Sequence, residues 1–224
     1  MPQTAILELG NPRDANAWER GCQSLGIGNA VEPIKTMRPS LDALLKFLKS
    51  TPDWIFFSGH FLPTQLYDDG NTTSLVFAAS QVTVTAGKET RIVKKGEDAF
   101  GLDRQCKVVV WGGCSVCGYK GSVDTLRSLF GPHLLLGYSE STGFAITEAM
   151  LGGGFIKKGH FFDNVKGHET DSPKIRDAWL QAAINGYRGG SSTPGKLDER
   201  MFRAIDPDGK QWWAAGGKIK PVEN

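Results

Sequence analysis

The sequence predicts an α/β protein with a mostly parallel central sheet. Three short apolar runs carry that prediction: 54–57 (WIFF), 108–111 (VVVW) and 134–137 (LLLG). A strand buried on both faces reads as a continuous apolar run, whereas a half-exposed strand alternates. Segments of helical period lie between and after these runs, the order expected of right-handed crossovers. At 224 residues the chain is long enough for one well-buried core.

The elements follow in order. Residues 4–9 (TAILEL) read as a first strand, stopped by Gly10-Asn11-Pro12. Asp14 caps a helix running to about Leu25, which Gly26 and Gly28 end. Residues 30–37 form a weaker strand, since Pro33 is tolerated only near an edge or a strand start. Ser40 caps a helix whose Leu41, Leu44, Leu45 and Leu48 share one face. Residues 67–106 differ in character: 74–85 and 89–94 read as strands joined at Ala86-Gly87, a β-hairpin carried as an insertion, with 94–104 an exposed loop. Later, 122–129 and 144–150 read as helices, and 174–187 as a longer one capped by Ser172 with Pro173 at its first position. Residues 189–195 are a Ser/Gly-rich link, and 201–214 a hairpin turning at Asp206-Pro207-Asp208-Gly209. The expected organisation is one domain over 1–224, with 189–224 as link and hairpin. Of Trp212 and Trp213, adjacent on a strand, one is expected in the core.

Composition excludes several classes. The net charge of +2, without a basic block beyond Lys94-Lys95 and Lys157-Lys158, argues against nucleic acid as partner. No run approaches the length needed to cross a bilayer, and the first residues lack a basic, apolar leader pattern, so the expectation is a cytoplasmic protein off the membrane. Four cysteines, irregularly spaced, are too few for a disulfide scaffold.

Two of the apolar runs deliver a chemically capable residue at their carboxyl ends. Ser58-Gly59-His60 follows the first, and Gly112-Gly113-Cys114 the second. In open α/β sheets ligands bind beyond that rim. A cysteine nucleophile needs its thiolate, and a neighbouring imidazole either takes the proton or stabilises the anion. Backbone amides at Phe61, Gly113 and Cys114 are placed to form an oxyanion hole.

A block ending in His followed 54 residues later by a block ending in Cys resembles the caspase-like (clan CD) cysteine peptidases. The third strand, LLLGYSESTGF, is similar to the small-subunit strand that borders the P1 pocket in that family, and the spacing after Cys114 resembles bacterial CHAT-type peptidases. The resemblance spans roughly residues 1–187. It implies a caspase-hemoglobinase-like three-layer fold with helices on both faces of the sheet. It also implies peptide hydrolysis through an acyl-enzyme, with Cys114 as nucleophile, His60 as general acid/base, and no cofactor or metal. The chain departs from the family where Phe61 follows His60 in place of glycine, and where Gly-Gly-Cys-Ser replaces the caspase signature.

By the same resemblance Ser139, Glu140 and Ser141 border the substrate, which is a protein or peptide. Glu140 suits a basic P1 side chain, and the basic stretch 88–95 is then a candidate self-cleavage site; self-cleavage or a regulatory partner is expected beside the substrate. Three other readings stay open: a catalytically inactive interaction domain, a thiol–disulfide oxidoreductase using Cys114 and Cys117, and a zinc site built from the same pair and two histidines. His133, His160 and His168 are expected to be solvated or loop-capping.

Overall fold

A computed structural model describes residues 1–10, 13–112, 115–140, 144–152, 156, 158–188 and 199–223. The chain runs β1 (Gln3–Glu8), α1 (Arg13–Ser24), β2 (Gly28–Asn29), β3 (Ile34–Lys35), α2 (Leu41–Lys49) and β4 (Trp54–Ser58). Five strands follow: β5 (His60–Leu62), β6 (Gln65–Tyr67), β7 (Thr73–Ala78), β8 (Gln81–Ala86) and β9 (Glu89–Lys94). Then come β10 (Val108–Trp111), α3 (Lys120–Phe130), β11 (Leu134–Tyr138), α4 (Phe144–Met150), α5 (Phe161–Val165) and α6 (Ser172–Arg188). Strands β12 (Phe202–Ile205), β13 (Gln211–Ala215) and β14 (Lys218–Pro221) complete it.

The larger sheet has the order β14-β13-β12-β11-β10-β4-β1-β2, with β3 also on β1. Its β1, β2, β3, β4, β10 and β11 pair in parallel, while β12 joins antiparallel and leads into an antiparallel edge. The apolar runs occupy the centre, buried at every position of β4, β10 and β11. Side-chain alternation divides the core in two. Ile55, Phe57, Val109, Trp111 and Leu135 face α2, α3 and the smaller sheet. Trp54, Phe56, Val108, Val110, Leu134 and Leu136 face α1, α5 and α6, with Trp18 stacked between Phe56 and Phe161 at 5.0 and 5.7 Å. Helices therefore cover both faces of a mixed, mostly parallel sheet. Among the described residues no helix is long and apolar enough to cross a membrane.

The insertion is larger than a hairpin. It is a five-stranded antiparallel sheet in the order β5-β6-β7-β8-β9, and it begins at His60. The expected strand over 74–85 is broken at Ala79-Ser80 into β7 and β8, and the β8–β9 turn is Gly87-Lys88. Gly59, at φ +145, is the crossing point from one sheet to the other; a Cβ there would lie 3.0 Å from Leu66. The following loop is anchored by Phe100 and Leu102, both fully buried.

Other expectations need smaller corrections. The strand expected over 30–37 shrinks to β3, since Pro33 supplies no ladder donor. Ser40 does cap α2, its hydroxyl accepting from the Ala43 amide at 3.2 Å. For α6 the cap is Asp171, which accepts from the Lys174 amide at 3.2 Å. A third strand, β14, extends the final hairpin beyond 214. Trp212 packs against the core on one side, held between Arg176 and Lys210 at 4.0 and 4.5 Å and donating to Asp206 at 2.7 Å. Trp213 lies on the other face under Arg203. His133 is fully buried rather than solvated: it sits 2.6 Å from the Gly131 carbonyl, and burial pushes its pKa down to about 4.

Trp111 links the two sheets. Its ring stacks on Phe57 at 4.2 Å and meets Phe61 and Phe77 edge-on at 4.6 and 5.4 Å. Trp111→Ala is expected to cost about 3–5 kcal/mol in urea unfolding, and a cost under about 1 kcal/mol would refute this packing role.

Candidate active site

Strands β4 and β10 lie side by side in register, Phe56 opposite Val110 and Phe57 opposite Trp111. His60 and Cys114 each come three residues after the last paired positions. Gly112, next after β10, donates its amide to the Phe57 carbonyl at 2.7 Å, so the two strand ends stay together. Cys114, Gly113 and Ser141 lie outside the described residues.

His60 opens β5. The β5–β6 hairpin sets Tyr67 directly opposite it, ring centroids 5.5 Å apart. Two residues on, Asp69 returns to the same side, and its carboxylate contacts His60 Nε2. Both side chains are substantially solvent-exposed, so the contact orients the ring more than it stabilises the fold. Asp69 was not legible as a partner of His60: nine residues separate them, and only the hairpin brings them together. Phe61 turns its ring inward against Trp111 and is buried.

Ser115 is left-handed at φ +59 and donates its amide to the Glu140 carbonyl at 3.0 Å. A 3₁₀ turn over Val116–Gly118 follows. Gly118 packs so closely on β11's exit that a Cβ would lie 2.2 Å from the Ser139 carbonyl oxygen. Ser139 gives both its amide and its hydroxyl to the Met201 carbonyl, at 2.7 and 3.2 Å. Glu140 is exposed. The segment bordering Cys114 is thus stitched to the β11 exit through backbone contacts.

The other cysteines are unsuited to attack. Cys22 and Cys106 are buried, with thiols pushed up by desolvation. Cys117 is buried too, and desolvation raises its pKa to about 12 in spite of Arg203. Among the described residues no group of three or more His, Cys, Asp or Glu is placed to hold a metal ion.

The rim carries one more chemical feature. Glu8 at the end of β1, Asp14 in the first turn of α1 and Ser58 at the end of β4 are all fully buried. Glu8 Oε1 accepts from the Gly10 amide at 2.6 Å, and Ser58 Oγ lies 3.4 Å from Asp14 Oδ2. Among the described residues, Glu8 Oε2 and Asp14 Oδ1 have no hydrogen-bond partner. Desolvation pushes Glu8 up to about 7 and Asp14 up to about 8; Asp69 adds repulsion to Glu8, and Glu8 and Glu148 add it to Asp14. Ser58 has one proton to donate, so at least one carboxyl is best satisfied protonated, giving its proton to the hydroxyl.

Compared with known proteins, the chain matches no family model and no curated sequence.

The carboxyl pair sets a pH dependence. Both pKa values are higher folded than unfolded, where they lie near about 4, so the folded chain holds more protons in between. Stability is therefore whole below about pH 4 and falls as pH rises through about 8. Glu8→Gln keeps the Gly10 contact and removes one charge. Its melting temperature is expected to exceed wild type at pH 8.5 and to match or trail it at pH 4.5; parallel melting curves across that range would contradict the assignment.

Proposed function

We propose that this chain is a cysteine endopeptidase of the caspase-like kind, with Cys114 as nucleophile and His60 as general acid/base. The observation that carries the reading is the register of β4 and β10, from whose adjacent carboxyl ends the two residues follow at equal offset. The sheet order supports it as well: four central parallel strands followed by an antiparallel one, with helices on both faces, suit a caspase-hemoglobinase-like arrangement.

In this reading the Cys114 thiolate attacks the scissile carbonyl carbon. The oxyanion that forms takes hydrogen bonds from backbone amides at the rim, for which Phe61, Gly113 and Cys114 are the candidates. His60 gives a proton to the departing amine, and the acyl-enzyme forms as the C–N bond breaks. Water then attacks the thioester, losing a proton to His60, and the thiolate is regenerated. Asp69 is the positioning residue: its carboxylate contacts Nε2 and fixes the orientation of the imidazole. The stretch 139–141 borders the P1 side chain, and exposed Glu140 is available to a basic one.

Fluorogenic peptides varying P1 among Arg, Lys, Asp and Leu test this. Cys114→Ala is expected to abolish turnover, and His60→Ala to lower kcat/KM by about 10²–10⁴-fold. Asp69→Asn should lower kcat with KM unchanged, the split expected of a residue that orients the imidazole without touching substrate. Turnover that survives Cys114→Ala would sink the proposal.

A further inference from the structure

The smaller sheet turns one face to the core and the other to solvent. Phe61, Leu66, Leu75, Phe77, Val82 and Val84 make up the inward face, all buried. Successive residues of a strand point opposite ways, so with Phe61 inward His60 stands on the solvent face. The pairing register fixes which residues share that face. Tyr67 lies opposite His60, and Leu62, Gln65, Val76, Thr83 and Ile92 form the next row across all five strands.

That row is unusually apolar for a surface. Leu62, Val76 and Ile92 are 52, 38 and 55% exposed. Among the described residues seven large apolar side chains are exposed, and these three stand together. No carboxylate occupies a paired position of the face, and its one permanent charge is Lys94, at the corner farthest from His60. Surfaces that only meet water carry interspersed charges, whereas an exposed apolar patch with a polar surround marks a place of contact.

The sheet order says what arrives there. Strands β11, β10 and β4 lie side by side. In the peptidase reading, on which this inference rests, the P1 side chain lies at the β11 exit and the nucleophile follows β10. His60, following β4, protonates the departing amine. The residues after the scissile bond, the primed side of the substrate, therefore leave past His60 and onto the sheet that begins with it.

We propose that the solvent face of the smaller sheet binds the primed side of the substrate, and that Leu62 and Val76 select apolar side chains there over acidic ones. The spacing suits an extended chain. Leu62 follows His60 by two residues on one strand, about 7 Å away, which is also the span of two residues of an extended peptide. With the P1′ nitrogen at His60, the side chains at P2′ and P3′ come over Leu62. Val76, two strands farther at about 10 Å, lies under the residues that follow. A carboxylate at P2′ or P3′ would give up its water with no cation near to receive it. Exposed Asp69, beside His60, adds repulsion.

Internally quenched peptides test this on the full chain. They share the unprimed residues that wild type turns over best and carry Ile-Leu, Gly-Gly or Glu-Glu at P2′–P3′. A coumarin amide of the same unprimed sequence carries no primed residue. The Ile-Leu peptide should exceed the Glu-Glu peptide by about 10-fold or more in kcat/KM. Leu62→Lys, shown to be folded by circular dichroism, should erase or reverse that preference, because it sets an ammonium under the primed side chains. Equal rates for the three peptides, beside Cys114-dependent hydrolysis of the coumarin amide, would overturn the inference and leave the peptidase reading standing. A preference that Leu62→Lys leaves unaltered would overturn it as well. No Cys114-dependent cleavage of any substrate would overturn both. A dimer in sedimentation equilibrium that Leu62→Lys dissociates would put a second copy on this face, and that too would overturn the assignment.

Discussion

The stack of Phe57 on Trp111 is the contact on which the other features depend. It joins β4 to β10 at their carboxyl ends, on the face where the smaller sheet docks. Phe61 and Phe77 of that sheet meet the same indole, so the stack also fixes where β5 and β7 lie. Centroids at 4.2 Å with nearly parallel planes leave little room for either strand to slip. A one-residue slip would turn Trp111 out of this core and carry residues 112–114 to a new offset from His60. The apolar pairing is thus a positioning device for the polar residues just beyond it.

Around that rim the polar groups divide by solvent access. His60 and Asp69 are exposed and paired, where their charges cost little. Glu8 and Asp14 are buried, each with one oxygen that has no partner among the described residues, where charge is expensive. The backbone is tied with similar care: Gly112 to Phe57, Ser115 to Glu140, and Ser139 to Met201. Three strand ends and the start of β12 are thereby bound into one rim. A reactive group placed there would inherit a rigid frame even though it follows a loop.

The central strands were legible because burial on both faces leaves a plain trace, and WIFF, VVVW and LLLG appear at 54–58, 108–111 and 134–138. The α2 face and the Ser40 cap were legible for the same local reasons. The smaller sheet was read too short, because Gly59 hides a change of sheet inside an apparent strand end. The segment 74–85 read as one strand because Ala79-Ser80 carries no glycine or proline to mark its turn. His133 lies on a loop by sequence, yet the fold closes over it. The pairs His60–Asp69 and Glu8–Asp14 rest on hairpin register and helix placement, which no local pattern reports.

The central claim is that the β4–β10 rim presents Cys114 as a reactive thiolate beside His60. Iodoacetamide labelling near pH 7, read by peptide mapping of all four cysteines, tests it most directly. Cys114 should be modified first and fastest, its rate falling in His60→Ala, while buried Cys22, Cys106 and Cys117 react only on unfolding. Labelling of Cys114 no faster than Cys117, or unaffected by the loss of His60, would contradict the account.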